Sequence, residues 1–503
     1  MENRHNRAVW HLRLKDIVLT TINAKWIHPS LALRLLKANL GVLEDRCEII
    51  ELNLRQPLAE KLALLTNARP RILGISVSIW NHTATLELLD ELEKVWKEQG
   101  EKPVVVLGGP EVSHLPPDAK IFRHADCVIR GEGEIVLREL CEKILSENKT
   151  KTSRLCVAYH RYDASLREES QDNPQFITAE NVNVNEIKSA YHLYTDEDIA
   201  KKLIYVEASR GCVFNCDFCL SAVDKSPVRA PKVRDFPLEP FFAEMDILIQ
   251  RGVKTFKFLD RSFNVNIERA VQIMEFFLLK IEERKGQGFV VHFEMVSSLF
   301  PPELREALKR FPPGTLRLEI GIQTLNSEAA ACINRPSYPE KELEALRFLR
   351  EKTNAIMHVD LIAGLPGEDL VSFGNGFDRL WLALSDSVSA EEAEQHTEIQ
   401  LGILKLLPGA PISRHNEAYG MRYNPMPPYE IEETSVMSAD DLLRVKNFAR
   451  FWEITVNRGL IKLPAKEPVF SKFMELSDSL YAKFERNWGI DREELLEYVK
   501  SII

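Results

Sequence analysis

The sequence predicts an α/β protein in three parts: a Rossmann-like, doubly wound amino-terminal sheet, a partial (β/α)6 TIM-like barrel, and a carboxyl-terminal helical region. Three observations carry this. Short apolar runs alternate with amphipathic stretches from Lys15 to Leu145, and the same alternation resumes from Lys202; strand–helix alternation of this kind builds parallel sheets. The intervening segment turns polar, with Ser146-Glu-Asn-Lys-Thr-Lys-Thr and Glu168-Glu-Ser-Gln-Asp-Asn-Pro, a linker or hairpin composition. Beyond Tyr429 the pattern is helical only. At 503 residues the chain exceeds a single core. The expected boundaries are 1–145, 146–195 (linker or hairpin), 196–428 and 429–503.

The elements follow in order. Ile17–Thr20, Cys47–Leu52, Ile72–Val77, Val104–Leu107 and Cys127–Ile129 read as buried strands, with Leu31–Leu40 and Ala84–Lys97 as amphipathic helices between them. In the second part the strands are Leu203–Glu207, Thr255–Asp260, Val290–Met295, Leu316–Gly321, Ala355–Ile362 and Gln400–Leu406, at βα spacing. Six such strands make a partial barrel, open on one side. Ser438 with Asp440 and Asp441 reads as an N-cap with early acids, and Phe470–Trp488 as an aromatic-rich amphipathic stretch. These last helices either shape a substrate pocket or cap the barrel.

Composition narrows the classes. A net charge of −10 gives no bulk attraction for nucleic acid or anionic membrane. No apolar run reaches membrane-spanning length, and the polar start, Met1-Glu-Asn-Arg-His-Asn-Arg, has no signal-peptide core. A cytoplasmic protein is expected, without membrane or nucleic-acid partners.

The most specific feature is Cys212, Cys216 and Cys219, spaced C-x3-C-x2-C. Three thiolates can surround one metal centre, yet they leave a four-iron cluster one ligand short, and an open iron is a place for chemistry. Structural zinc needs a fourth ligand, which Asp217, Asp224 or His292 would have to supply. The other cysteines, Cys47, Cys127, Cys141, Cys156 and Cys332, are scattered singly. No second paired knuckle lies nearby, and three close cysteines cannot pair evenly as disulfides.

The approach Tyr205-Val-Glu-Ala-Ser-Arg-Gly-Cys212, the CxxxCxxC and Phe218 before the last cysteine resemble the radical S-adenosylmethionine (SAM) superfamily. That resemblance implies that the three cysteines ligate a 4Fe–4S cluster, whose vacant iron chelates SAM, and that Phe218 lies by the adenine. It also implies oxygen sensitivity and an external electron donor of flavodoxin or ferredoxin type.

Ligands of doubly wound sheets lie beyond the carboxyl ends of the strands. There the chain places Ser76, Ser78, Trp80 and Asn81, then Gly108-Gly109-Pro110-Glu111-Val112, then Gly131-Glu132-Gly133. Glycine lets backbone approach a ligand, although each loop alone is also plain turn chemistry. Together they resemble the cobalamin-binding domain of B12-dependent radical SAM proteins, class B methyltransferases among them. The resemblance maps Ser76, Ser78, Gly108 and Gly109 onto the loops that embrace the corrinoid's nucleotide tail. One departure stands out: where corrinoid carriers have Asp-x-His-x-x-Gly, this chain reads Asn23–Ser30, with His28 but neither the acid nor the glycine. His28 is an axial ligand or a loop-packing residue. Trp80 either covers the lower corrin face or is a large core aromatic.

In the barrel, residues at strand ends are the site candidates: Asp260, Arg261, Glu294, Ser297, Glu319, Gln323, Asp360 and Lys405, although inward polar residues in barrels are also structural. Glu319 and Gln323 suit the amino or ribose groups of SAM, and Gly364-Leu-Pro-Gly-Glu368 resembles the family's glycine-containing SAM loop. Arg234 reads as a contact to SAM or an anionic substrate, or as a surface ion pair. Leu407-Pro-Gly-Ala410 resembles the usual end of this core. The implied activity is methylation of an unactivated carbon through a 5′-deoxyadenosyl radical and methylcobalamin. Rearrangement or cyclisation without methyl transfer, and a corrinoid-binding sensor or carrier, stand as alternatives. The substrate is an organic molecule the sequence does not identify.

Overall fold

A computed structural model describes residues 15–146, 174–222, 233–284, 288–385 and 397–502. They divide into two compact units, Met1–Lys202 and Leu203–Ile503.

The first unit is a six-stranded sheet: β1 (Ile17–Asn23), β2 (Cys47–Asn53), β3 (Ile72–Ser76), β4 (Val104–Gly108), β5 (Cys127–Arg130) and β6 (Gln175–Thr178), in the order β2-β1-β3-β4-β5-β6. Every pairing is parallel, with Ile17 opposite both Cys47 and Ile72. Buried on both faces, β1 and β3–β5 are mostly apolar, with the hydroxyls of Thr20 and Thr21 in β1 spent on the Ile50 and Ser76 carbonyls, as suits central parallel strands. Helices Leu31–Ala38 and Glu134–Ser146 pack Leu33, Val136, Leu137 and Leu140 on one face. Helices Leu58–Ala68 and His82–Gln99 pack Leu65, Leu88, Leu89, Leu92 and Trp96 on the other. The Ser30 side chain caps the first helix, and Gly100, left-handed at φ 72°, ends the third.

The segment read as linker is more than a linker. Gln175–Thr178 is the sixth strand, pairing Cys127 with Gln175 through Arg130 with Thr178. Farther on, Asp198 accepts from Arg34 at 2.7 Å, and Arg34 also reaches Glu51 at 3.0 Å. A buried guanidinium paired twice in this way is costly to strip of a partner. The stretch therefore belongs to the first unit's framework.

The second unit begins with β7 (Ile204–Val206), followed by a short antiparallel pair, β8 (Ser209–Gly211) and β9 (Val233–Asp235). Then come β10 (Thr255–Phe258), β11 (Val290–Met295), β12 (Leu316–Gln323), β13 (Ile356–Ala363) and β14 (Glu398–Ile403). The order β14-β13-β12-β11-β10-β7, parallel throughout, is the open partial barrel. Its outer face is aromatic: Phe256, Phe258, Phe277, Phe289 and Phe293 lie with ring centroids 4.7–5.9 Å apart. The edge strand β14 is capped by one side chain, since the Asn457 amide donates to Ile399 O at 3.0 Å and accepts from Ile399 N at 3.3 Å. That spends hydrogen-bonding groups a further strand would need.

A small ladder, β15 (Arg422–Tyr423) with β16 (Ile431–Glu433), leads into helices Ala439–Trp452, Phe470–Phe484 and Arg492–Ile502. Ser438 and Asp441 form a full capping box. Phe448, Trp452, Phe470 and Phe473 pack on each other and on Phe377 of the barrel helix Leu370–Ser385. Gly374 in that helix is needed there, because a Cβ would lie 2.5 Å from the Phe470 ring.

Candidate functional site

The cysteine loop leaves the end of β7 through β8, and its approach is tied down. Asp260, 2% exposed, accepts from Ala208 N at 2.9 Å and from Ser209 Oγ at 2.6 Å. Arg269 donates to Ala208 O at 2.8 Å and Phe236 O at 2.6 Å. Burial pushes the Asp260 carboxyl up to about 7 while those two donors oppose it. Asp260, a site candidate by sequence, thus spends one oxygen on the Ala208 backbone and the other on the Ser209 hydroxyl, both on the approach to the loop.

Within the loop Cys216 is buried and Cys212 and Cys219 are half-buried. Cys219 N donates to Cys216 O at 3.0 Å, and Asp217 N to Ile333 O at 2.9 Å. Asp217 is occupied by Arg414 at 2.5 Å and His415 at 2.9 Å. The Arg335 guanidinium lies 3.7 Å from the Cys216 sulfur. Burial pushes the Cys216 thiol up, Arg335 draws it down, and Cys219 and Cys212 add to the upward push, so the three sulfurs share one electrostatic neighbourhood.

Three soft donors beside a fixed cation suit an iron–sulfur group, whose ligands are thiolates. Zinc fits less well. Among the described residues no three His, Cys, Asp or Glu side chains, the three cysteines included, gather as a single-ion site, so the choice turns on a fourth ligand. Of the fourth ligands considered, Asp217 is engaged, and His292 faces Glu319 at 3.4 Å and stacks on His358. Asp224 lies outside the described residues. Phe218 is half-buried in the same loop.

The inner face of the barrel carries charge. Strand register sets Lys257 opposite His292, Glu294 opposite Glu319, Glu319 opposite His358, and Asp360 opposite Gln400. Lys257 Nζ reaches Glu319 at 3.1 Å. His292 and Lys257 hold the Glu319 carboxyl down at about 2 against its burial. Burial also keeps His292 below the ordinary imidazole value. Burial, with Glu319 nearby, raises Glu294 to about 7, although Arg261 at 3.8 Å opposes it. Asp360 rises to about 7 from burial and the Glu319 and Glu294 charges. Glu319, Glu294 and Asp360 are therefore brought together. Arg261 stays mostly exposed.

Other candidates divide. Gln323 ends β12 at a bulge and holds φ at 70°, a left-handed value costly for a side chain. Ser297 is buried with its hydroxyl on Glu342 at 3.0 Å. Lys405 bridges to Glu430 through backbone, and Arg234 pairs with Arg210 in the β8–β9 ladder. In the Gly364 loop, φ is 85° and a Cβ would lie 2.6 Å from Ile431, while Glu368 accepts from Thr324 at 2.6 Å. Arg335, Glu342 and Lys257 were missed by sequence reasoning, which weighed His292 only as a fourth zinc ligand. Lysine and histidine alternating with apolar residues in β10 and β11 were the available signal; Arg335 and Glu342 gave none.

On the first sheet, the loops after β3 and β4 interlock. Val77 N donates to Gly108 O at 2.8 Å, and Glu111 N to Val77 O at 3.1 Å. Gly109, at φ 102°, could carry no side chain, since a Cβ would fall 2.5 Å from Val77 O and 3.0 Å from Ser76 Oγ. Ser78 N is held by Asn81 Oδ1 at 2.8 Å. Gly131, at φ 91°, would put a Cβ 2.8 Å from Ala179 O, Gly133 sits against Leu36, and Glu132 accepts from Val182 N at 2.8 Å.

Some candidates turn inward. Val112 is fully buried in the core and Glu111 meets His82 at 2.9 Å, whereas Pro110 is exposed. Trp80 is 54% exposed, so it is not a core aromatic, and Trp26 beside His28 is 46% exposed. Both tryptophans follow adjacent strands, β3 and β1. His28 is half-buried in that same loop.

A cysteine loop at a parallel strand end and a glycine-built sheet end describe an α/β protein made for organic and iron–sulfur cofactors. Residues 206–377 match the model of the radical SAM superfamily and residues 17–141 that of the B12 binding domain. The chain is a radical SAM protein with a B12-binding domain, and the two domains imply a 4Fe–4S cluster, SAM and cobalamin.

An uncharacterized methyltransferase of Pyrococcus horikoshii is 27% identical over 290 residues, 56% of this chain and 58% of that one. The cobalamin-dependent radical SAM methyltransferase TokK of Streptomyces tokunonensis is 23% identical over 367 residues, 71% of this chain and 50% of that one. The chain thus spans about half the length of these curated relatives.

Two solved structures share the fold. The cobalamin-dependent S-adenosylmethionine radical enzyme OxsB, with aqua-cobalamin and SAM bound, aligns at TM-score 0.63 and 16% identity over 98% of this chain and 75% of that one. The methyltransferase TsrM from Kitasatospora setae, with cobalamin and a [4Fe-4S] cluster bound, aligns at TM-score 0.56 and 17% identity over 85% of this chain and 81% of that one. Among the described residues no helix is long and apolar enough to cross a membrane.

Proposed function

We propose that this protein is a cobalamin-dependent radical SAM methyltransferase that methylates an unactivated carbon of an organic substrate, with electrons from a flavodoxin- or ferredoxin-type donor. The observation that carries the reading is the Cys212–Cys219 loop, with Cys216 buried against a guanidinium, in the same chain as the Gly109 turn that admits no side chain. The methyltransferase names of two curated relatives support methyl transfer. When bound, the cluster and SAM would supply a 5′-deoxyadenosyl radical and cobalamin the methyl group.

In this reading Cys212, Cys216 and Cys219 hold the cluster, and Asp260 fixes the backbone that presents them. Phe218, Glu319 and Gln323 would hold SAM. His292 and Lys257 keep Glu319 ionised, so that it would accept hydrogen bonds from an ammonium or hydroxyl group. Glu294 and Asp360, held near neutrality, can keep or release a proton at the barrel's inner face. Ser76, Ser78, Gly108 and Gly109 would hold the corrinoid's tail through backbone and hydroxyl groups, and Trp80 would offer an exposed ring to the corrin. Ser297 supports this site through Glu342.

The test is an anaerobic incubation of the reconstituted chain with deuteriomethyl-SAM, a reductant and candidate substrates, with Cys216→Ala as control. The expected result is 5′-deoxyadenosine and a deuteriomethyl product from the wild type and neither from the variant. An unlabelled product formed with 5′-deoxyadenosine would make the enzyme a rearranging one. Tight cobalamin binding with no SAM cleavage would make it a corrinoid sensor or carrier.

A further inference from the structure

Arg335 sits in the turn between helices Ser327–Cys332 and Pro339–Lys352, 119 residues from Cys216 in sequence. Its backbone N–H donates to Ala330 O at 2.9 Å, which anchors the turn. One arm of the guanidinium reaches the Cys216 sulfur at 3.7 Å, and the other donates to Gly321 O in the bulged end of β12. Cys216 is 6% exposed, so water screens this contact poorly.

A guanidinium serving only as a structural tie would take the nearest carboxylate through two parallel bonds. A buried carboxylate close enough to feel its charge is Glu342, 2% exposed. Yet Glu342 Oε1 accepts from Ser297 at 3.0 Å, while Glu342 Oε2 and Arg335 Nε are both buried without a hydrogen-bond partner. The acid stands near enough to be felt and does not capture the fork, which leaves the arginine's donors for the strand carbonyl and the thiolate.

We infer that Arg335 is a positioning residue that sets the redox poise of the cluster loop, donating to the Cys216 sulfur so that a cluster held there takes up an electron more readily, with Glu342 opposing it. This rests on the assignment of Cys212, Cys216 and Cys219 as cluster ligands. The added electron raises the negative charge of the centre. A fixed cation and an N–H···S bond in a buried site stabilise that charge, and hydrogen bonds to sulfur, net charge and solvent exposure are the levers that set such potentials. Lysine keeps the charge but loses the planar fork.

The experiment is a potentiometric titration of the reconstituted full chain without SAM, followed by the EPR signal of the reduced cluster, with iron content measured alongside. Arg335→Gln is expected to cut the ratio of reduced to oxidised cluster about tenfold at fixed poise, a shift of about 59 mV to lower potential for one electron. Arg335→Lys should fall between it and the wild type. Glu342→Gln should move the other way, and it decides the matter if Arg335→Gln fails to hold iron. Unchanged midpoints in variants that retain iron would overturn the inference and leave the cluster assignment standing. Weakened SAM binding at an unchanged midpoint would overturn it too, assigning Arg335 to the SAM carboxylate instead. A wild-type chain that takes up no cluster would overturn the cluster assignment itself, and the inference with it.

Discussion

At the strand ends of the first sheet the chain offers backbone and aromatic rings: Gly108, Gly109 and Gly131 with nothing beyond Cα, and Trp80 and Trp26 exposed. On the inner face of the second sheet it offers charge: Lys257, Glu319, Glu294, Asp360, His292 and His358. The first arrangement is fixed by shape, because Gly109 and Gly131 lie too close to Val77 and Ala179 for any side chain. The second selects by charge and proton state, because crowded carboxyls in a half-buried setting respond to any cation brought near them. A large, rigid cofactor and a small, charged one call for these two kinds of surface respectively.

The contrast can be broken most sharply at Gly109. Gly109→Ala forces a Cβ to 2.5 Å from Val77 O at a φ of 102°, and strain of that kind costs about 1–3 kcal/mol. Thermal unfolding should register the loss, and cobalamin retention after gel filtration should fall in the same variant. Full retention would show that shape at this turn does not govern the site.

The charged face should reveal itself through pH. Asp360 is raised to about 7 from an ordinary 3.8 by burial and by the Glu319 and Glu294 charges, so between these values the folded chain binds more protons than the unfolded one. Stability should therefore be highest below about pH 4 as far as this group is concerned, and should fall as pH rises from there through about 7, by an amount on the order of 4 kcal/mol. Asp360→Asn should flatten that slope in denaturant titrations run across the range. A slope identical to the wild type would remove Asp360 from the charged group.

The smallest effect on stability is expected at Trp80. Trp80→Ala removes a mostly exposed ring, so stability should hold within about 0.5 kcal/mol while cobalamin dissociates faster, followed by absorbance. Loss of stability without change in dissociation would make Trp80 a packing residue after all.

Much of the fold was legible because the chain punctuates itself: apolar runs of strand length, amphipathic helices, and Gly or Pro between them. Of the first sheet, Gln175–Thr178 escaped notice because four residues beside a long polar stretch carry no periodicity. The cysteine loop was legible from spacing alone. Its supports were not, since Arg335 and Glu342 reach it only through contacts spanning more than a hundred residues or through intermediaries. Asp260 was singled out as a site candidate, and the structure shows its carboxyl holding Ala208 and Ser209, a distinction only geometry makes. Val112 followed the Gly-Gly-Pro turn in sequence and proved to be core, because a turn points successive side chains in different directions.

The Asn457 cap on β14 has a consequence in time. Strand β14 is synthesised 58 residues before the amide that covers its edge, so a growing chain passes through a stage in which a finished parallel sheet displays an open row of peptide groups. Exposed strand edges are where chains join one another. The vulnerable interval for this protein lies in the making of residues 404–457, and a nascent chain halted there is the species most in need of a chaperone.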